Sequence, residues 1–343
     1  MTLEFLYSYA GFLAKTITFV IAFIVVAAII TGSFIKGGNK KTGTLKVTSL
    51  NDFYKHLHDA ITHSRFESAD FKALKKAEKL AKKQKVSEPE KTRVFVLDFV
   101  GDTQASSLEN LRHEVTALLG NATNKDEVVV RLESPGGAVH AYGLASSQLA
   151  RIRDAGIPLT ICVDKIAASG GYMMASIGTK IISAPFAVLG SIGVVAQIPN
   201  INRLLKKHEI DVELMTAGAH KRTLTTMGEN TVAGREKFQQ EINTVHELFK
   251  THVTQYRPSV NIEDVSTGEA WFGLEAIDKN LSDEIGTSDE YLAKCAKSRD
   301  LLLLTYKAPK TKGLMNRMGL TATTVLETAL VNAWGRLMNH RGY

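Results

Sequence analysis

The stretch Ala167-Ala168-Ser169-Gly170-Gly171-Tyr172 decides how the rest of this chain is read. Ahead of it, Pro158-Leu-Thr-Ile-Cys-Val-Asp-Lys165 is rich in β-branched residues and predicts a strand. Behind it, Tyr172-Met-Met-Ala-Ser-Ile177 to Gly178 predicts a helix. A serine at that junction sits at the positive end of a helix dipole, and the glycines let a substrate backbone come close. Such a position suits a nucleophile. The same residues also suit an ordinary helix start with Ser169 as N-cap, so the stretch alone does not settle a function.

Three further segments point to the same place. Glu133-Ser134-Pro135-Gly136-Gly137 follows the predicted strand Glu127–Leu132 and precedes a predicted helix over 140–155. Its glycines leave backbone N–H groups free to hold an anion, as an oxyanion hole requires; Pro-Gly-Gly is also good chemistry for a plain βα turn. Ala217-Gly218-Ala219-His220-Lys221-Arg222 follows a predicted strand over 212–216 and presents a lysine. Gly190-Ser191-Ile192-Gly193-Val194 is a small-residue segment inside an apolar stretch.

Taken together, the four segments resemble the signal peptide peptidase A family of Ser/Lys serine peptidases, most closely its SohB-type inner-membrane members. The resemblance is clearest from Arg93 to Gly286. It includes the lysine some fifty residues after the serine, and the run Thr267-Gly-Glu, Gly273-Leu-Glu-Ala276 and Leu281-Ser-Asp-Glu-Ile-Gly286. It implies an α/β fold of the Clp-protease and crotonase type, a spiral of ββα units; periodicity alone gives only α/β with parallel pairing. It implies Ser169 as nucleophile, Lys221 as general base, Gly136, Gly137 and the Gly170 N–H on the oxyanion side, and Ser191 as a group orienting the lysine. No metal or cofactor is implied.

The chemistry constrains the lysine. Serine needs a base to take its proton, and lysine is a base only when neutral. A lysine in water titrates near pH 10.4, so it must be shielded from water to be neutral near about pH 7. Lys221 is therefore expected to be shielded and close to Ser169 in the working enzyme. A His-based triad is the competing chemistry. Clp-type relatives carry their histidine about two dozen residues after the serine, but no histidine occurs here between Ser169 and His208. His140 and His220 are the histidines that could reach the cleft. A catalytically silent membrane scaffold of the same fold is the alternative from a different functional class.

Thr16 to Ile35 is an uncharged run of twenty residues, long enough as a helix to cross about 30 Å of hydrocarbon. It predicts an uncleaved single-pass anchor over 1–35, in a bacterial inner membrane by the resemblance. Lys36, Lys40, Lys41 and Lys46 after the run favour a cytoplasmic catalytic domain, while larger Gram-negative relatives favour the periplasm, so orientation stays open. Residues 36–92 are a basic, partly helical linker with fourteen Lys or Arg against seven Asp or Glu, which equals the whole net charge of +7. The excess is local and gives no reason to expect nucleic acid as a partner. Within it, Ser49 is expected to cap a helix over 50–66, and Phe71 to Val86 reads as a basic amphipathic helix suited to a solvated linker or to anionic lipid.

Residues 93–304 form the expected peptidase domain, and 305–343 a tail with an amphipathic helix. Phe238, Ile242, Val245, Leu248, Phe249 and Val253 recur at helical spacing along a long predicted helix ending at Tyr256, which core packing and a subunit interface explain equally well. The two cysteines, Cys162 and Cys295, suggest neither a disulfide framework nor a metal site. The resemblance implies peptide substrates, contact with the lipid bilayer, and a homo-oligomer in which Ser169 and Lys221 can come from adjacent protomers.

Overall fold

A computed structural model describes residues 9, 11–13, 15–20, 43–65, 92–218 and 220–309. The chain divides into two units, one of residues 1–43 with 309–343 and one of 44–308. In the first unit the described residues up to 20 are helical, and Thr16 Oγ1 donates to the Phe12 carbonyl at 2.9 Å. From residue 21 the expected anchor lies outside the described residues, among which no helix is long and apolar enough to cross a membrane. The expected helices over 71–86 and in the tail from Gly313 also lie outside them.

The second unit opens with β1 (Thr44–Ser49) and α1 (Leu50–Arg65), both inside the segment expected to be linker. Ser49 Oγ accepts the Asp52 N–H at 3.2 Å, the cap expected from the sequence. The path continues through β2 (Arg93–Val100), α2 (Leu108–Leu119), β3 (Glu127–Glu133), α3 (Val139–Asp154), β4 (Leu159–Val163), β5 (Ile166–Ala168), α4 (Gly170–Ala175), β6 (Lys180–Ser183) and β7 (Val188–Gly190). It then runs through α5 (Asn202–Lys207), α6 (Val232–Tyr256), α7 (Ile262–Val265), β8 (Ala270–Phe272), α8 (Gly273–Asp278), β9 (Glu284–Ile285), α9 (Ser288–Cys295) and β10 (Asp300–Lys307).

Seven strands form one sheet in the order β1-β10-β2-β3-β4-β6-β9, parallel throughout except for β1, which runs antiparallel to β10. Its central strands are nearly continuous apolar runs because both faces are covered. Along β2, Phe95, Leu97 and Phe99 point into one core, shared with Leu111 and Val115 of α2 and Tyr142 and Leu149 of α3. Val94 and Val96 point into the other, with Leu50, Cys162 and Leu292. Asn51 staples α1 to the entry of β10: its amide donates to the Ala296 and Arg299 carbonyls at 3.1 and 2.9 Å and accepts the Leu301 N–H at 2.7 Å.

A second, three-stranded sheet (β5-β7-β8) carries the site. β4 and β6 of the large sheet each pass within a few residues to β5 and β7 of the small one, and β3 makes the same move at Ser134, whose bridge partner is Ala167 of β5. The strand expected over 158–165 is β4, and β5 is a further short strand in the other sheet, between it and Ser169. This strand–strand step repeats side by side, so the ends of β3, β5 and β7 come together. No strand forms over 212–216, where one was expected: the segment has no ladder partner among the described residues and is exposed, Met215 at 85%.

Candidate active site

Where β3, β5 and β7 end, a cavity of about 820 Å³ opens, lined by Ser169, Gly136, Gly137, Gly170 and Ser191 among others. Ser169 follows β5 with φ +52°, ψ −120°, left-handed backbone that a side-chain-bearing residue adopts only under constraint. Its N–H donates to the Gly190 carbonyl at 2.8 Å and its carbonyl accepts from Met173 N at 2.9 Å. The hydroxyl makes no cap hydrogen bond to α4. The plain N-cap role left open by the sequence is thus not what holds this serine in place.

Ser191 stands beside it for a simple reason of register. Ala168 pairs with Gly190 in parallel strands, so the next residues, Ser169 and Ser191, leave the sheet together. Ser191 also has positive φ (+50°), and its N–H donates to the Glu269 carbonyl at 2.6 Å.

The glycine turn presses against the serine. Gly136 has φ +90°, and a Cβ there would lie 2.8 Å from Ser169 Cβ and 2.7 Å from the Gly170 nitrogen. A Cβ on Gly137 would lie 2.2 Å from the Thr103 carbonyl oxygen. The backbone donors in the turn are divided. Gly136 N–H donates to Ser134 Oγ at 3.1 Å and Ala138 N–H to the Thr103 carbonyl at 2.8 Å. The N–H groups of Gly137 and Gly170 have no partner among the described residues. Two unpartnered donors beside a strained serine make a place where negative charge on a substrate oxygen is favoured. Gly136 contributes shape rather than a donor.

The opposite wall comes from α6. Ile242, Val245 and Phe249 give it an apolar surface, continued by Met173 of α4. The stripe noted in the sequence divides: Phe249 and Val253 are core, Ile242 and Val245 face the cavity, and Leu248 is 66% exposed. The helix is fixed at its end by Arg257, whose guanidinium pairs with Asp283 at 2.8 and 2.9 Å and donates to the Asn280 carbonyl at 2.7 Å. Tyr172, fully buried, donates to the Leu281 carbonyl at 3.1 Å and so ties α4 to the same region. Below α4, burial pushes the His252 pKa down, against the opposing effect of its ring nitrogen 2.9 Å from the Met173 carbonyl.

His246 is the residue that the sequence reading missed. It lines the cavity with Nε2 3.2 Å from the Ile192 carbonyl. It lies four residues after Ile242 and three before Phe249, so helical spacing alone placed it on their face. His140, His208 and His220 are exposed and do not line the cavity.

Lys221 is not brought to Ser169 within one chain. It lies on an exposed segment with its N–H donating to the Gly218 carbonyl at 3.2 Å, and Arg222 beside it is also exposed. Among the described residues, no lysine of the same chain lines the cavity. The shielding expected for this lysine is therefore absent in the single chain. Among the described residues no group of His, Cys, Asp or Glu could hold a metal ion.

Residues 4–149 match the family described as peptidase family S49 N-terminal, and residues 151–302 match peptidase family S49. The chain is 45% identical over 321 residues to "Probable protease SohB" of Haemophilus influenzae, covering 90% of this chain and 91% of that protein. It is 46% identical over 303 residues to the protein of the same name from Buchnera aphidicola subsp. Schlechtendalia chinensis, covering 84% and 99%. The solved structure of the membrane-bound stomatin-specific protease 1510-N superposes with a TM-score of 0.41 at 15% identity, over 60% of this chain and 85% of that one. Family matches across nearly the whole chain, with relatives this similar over nine-tenths of their own length, make the chain a member of peptidase family S49, and a protease of that family.

Proposed function

We propose that the chain is a membrane-anchored serine endopeptidase that cleaves apolar peptides through an acyl-enzyme, with Ser169 as nucleophile and Lys221 of a neighbouring copy as base. The observation that carries this reading is the strained Ser169 beside the unpartnered Gly137 and Gly170 N–H groups, in a cavity to which the described residues of its own chain bring no lysine. Ser169 Oγ attacks the scissile carbonyl and gives its proton to the neutral Lys221 amine. The two N–H groups hold the oxygen that becomes negative. Collapse breaks the C–N bond, and the Lys221 ammonium returns the proton to the leaving amine. Water, deprotonated by the same lysine, then releases the acyl group.

A lysine entering this cavity would pass between apolar walls, and desolvation there lowers its pKa toward the working range. In this reading Ser191, in register with Ser169, accepts a hydrogen bond from it. The segment that bears Lys221 also exposes Ile210, Leu214 and Met215, an apolar surface suited to burial against a second copy. The resemblance adds the spiral ββα description of the fold, the inner-membrane anchor over Thr16 to Ile35, and signal-peptide remnants or unfolded membrane-associated peptides as substrates; the apolar walls suit such peptides.

The test is hydrolysis of a fluorogenic apolar peptide by detergent-solubilised protein, comparing wild type, Ser169→Ala and Lys221→Ala. Each variant alone is expected to be inactive while assembly persists. Mixing and reassembling the two restores up to about one quarter of wild-type activity, because that fraction of sites joins an intact serine to an intact neighbouring lysine. Full activity of Lys221→Ala would overturn the role of the lysine and turn attention to His246. Two inactive variants that do not complement would place both groups in one chain.

A further inference from the structure

The oxyanion donors proposed above owe their placement to something, and the structure offers a specific agent. Tyr142 and Ser134 are both fully buried. The Tyr142 hydroxyl lies 2.8 Å from the Asp102 carbonyl, which can only accept, so the phenolic proton goes there. Ser134 Oγ lies 2.6 Å from Tyr142 Oη. With the phenolic proton committed, the serine must donate in that contact. Ser134 Oγ in turn accepts the Gly136 N–H at 3.1 Å. The result is a directed chain, Gly136 N–H to Ser134 O–H to Tyr142 O–H to Asp102 C=O, in which each proton has one destination.

The chain has room only because residue 101 is glycine: a Cβ there would lie 2.4 Å from Tyr142 Oη and 2.5 Å from Ser134 Oγ. Burial raises the Tyr142 pKa, so the phenol keeps its proton at any working pH. Ser134 also holds the other half of the site. Its N–H donates to the Ile166 carbonyl at 2.8 Å, and its carbonyl accepts the Ala168 N–H at 3.0 Å, one residue before Ser169. One residue therefore fixes the Gly137 side of the donor pair through its side chain and the Gly170 side through its backbone.

We propose that Tyr142 and Ser134 are positioning residues for the oxyanion hole, setting the Gly137 N–H by engaging the Gly136 N–H beside it. This inference rests on the Ser169 reading. Tyr142→Phe keeps the ring, which packs over Gly170, and removes only the hydroxyl. Ser134→Ala removes the acceptor of the Gly136 N–H, and serves as the second route if Tyr142→Phe fails to fold.

The experiment measures kcat and KM on a fluorogenic apolar peptide, the inhibition constant of a peptide boronate, and the thermal midpoint, for the wild-type assembly, Ser169→Ala, both single variants and the double variant. The boronate forms a tetrahedral adduct whose oxygen occupies the donor pair, whereas KM for a slowly cleaved peptide follows ground-state binding. In each single variant kcat is expected to fall about tenfold and boronate affinity to weaken by a similar factor, with KM held within about twofold, since loosening a donor costs less than the 10²–10³ of removing one. The double variant is expected to match the singles, because the chain works as a unit. If Ser169→Ala keeps activity, the Ser169 reading fails. If Ser169→Ala is inactive while both single variants keep wild-type kcat and boronate affinity, the positioning proposal alone fails. It fails equally if KM rises as much as kcat falls, or if the two losses multiply in the double variant.

Discussion

Replacing Gly136 with alanine puts the two demands of the glycine turn, backbone angle and space, into one measurement. At φ +90° a side chain is strained, at a cost of roughly 1–3 kcal/mol. The new methyl would also lie 2.7 Å from the Gly170 nitrogen and 2.8 Å from both the Ala168 carbonyl oxygen and Ser169 Cβ. Two of these three neighbours are backbone, so the contact cannot be relieved by swinging a flexible side chain. Ordinary van der Waals spacing is about 3.5–4.0 Å, so the turn must retreat by roughly an ångström.

A displacement of that size beside reacting atoms costs about 10² in rate. The expected outcome is therefore a fall of about a hundredfold or more in kcat/KM, with a thermal midpoint lower by roughly 2–12 °C for the strain alone. The matched control is Gly143→Ala, one turn into α3, where nothing lies within 4 Å of the added methyl. In a helix interior that change stabilises by about 0.5–1 kcal/mol and leaves activity at the wild-type level. Peptide hydrolysis and differential scanning calorimetry on the detergent-solubilised proteins read both quantities. A Gly136→Ala protein that retains more than half of wild-type kcat/KM would refute the argument that the turn must touch the serine.

Two further outcomes are expected. His252 is held neutral by burial, with its folded pKa below the unfolded value of about 6.5. The unfolded state then binds more protons in acid, so its contribution to stability is present above about pH 6.5 and is lost as pH falls toward the folded pKa. The thermal midpoint of wild type should drop between pH 7.5 and 5.5, and a His252→Asn variant should show a smaller drop; equal drops would exclude this histidine as the cause. Asn51→Ala removes three partly buried hydrogen bonds between α1 and the approach to β10, a loss of roughly 2–4 kcal/mol at about 1 kcal/mol each. Urea denaturation should show the shift in midpoint, and Asn51→Asp, which keeps the acceptor for Leu301 N–H but turns a carboxylate oxygen on the Ala296 and Arg299 carbonyls, should lose at least as much; a shift under about 0.5 kcal/mol for Asn51→Ala would show that α1 docks by Leu50 and Tyr54 alone.

The parts of the site that were legible in the sequence are those made of neighbouring residues under a backbone constraint. Ser169 with Gly170 and Gly171, and Pro135 with Gly136 and Gly137, announce themselves because close backbone approach excludes larger side chains. Lys221 was legible as a residue type at a resemblance-given spacing, but its environment was not: one chain leaves it exposed. The strand expected over 212–216 alternates apolar and polar residues as a strand should, yet pairing needs an edge, and none of the described residues offers it one. β1 was hidden for the opposite reason. Its alternating Leu45 and Val47 sit in a lysine-rich stretch whose charge suggested a linker, and only its partner β10, some 250 residues away, makes it a strand. His246 was not legible from its distance to Ser169 along the chain, because it reaches the cavity by helical periodicity on α6.

That distant pairing has a consequence for how the protein is made. β10 lies between β1 and β2 in the sheet, so β1 has no neighbour until the ribosome has extended the chain through Lys307. At about 5–20 residues per second, β1 waits roughly ten to fifty seconds after its own synthesis. During that interval β2 is the temporary border of the growing sheet, with its hydrogen-bonding groups open toward the missing β10. The last strand to emerge among the described residues is thus the one that closes the sheet, and a nascent chain stalled before Asp300 would hold the elbow, the glycine turn and α6 while still presenting an unfinished edge to its surroundings.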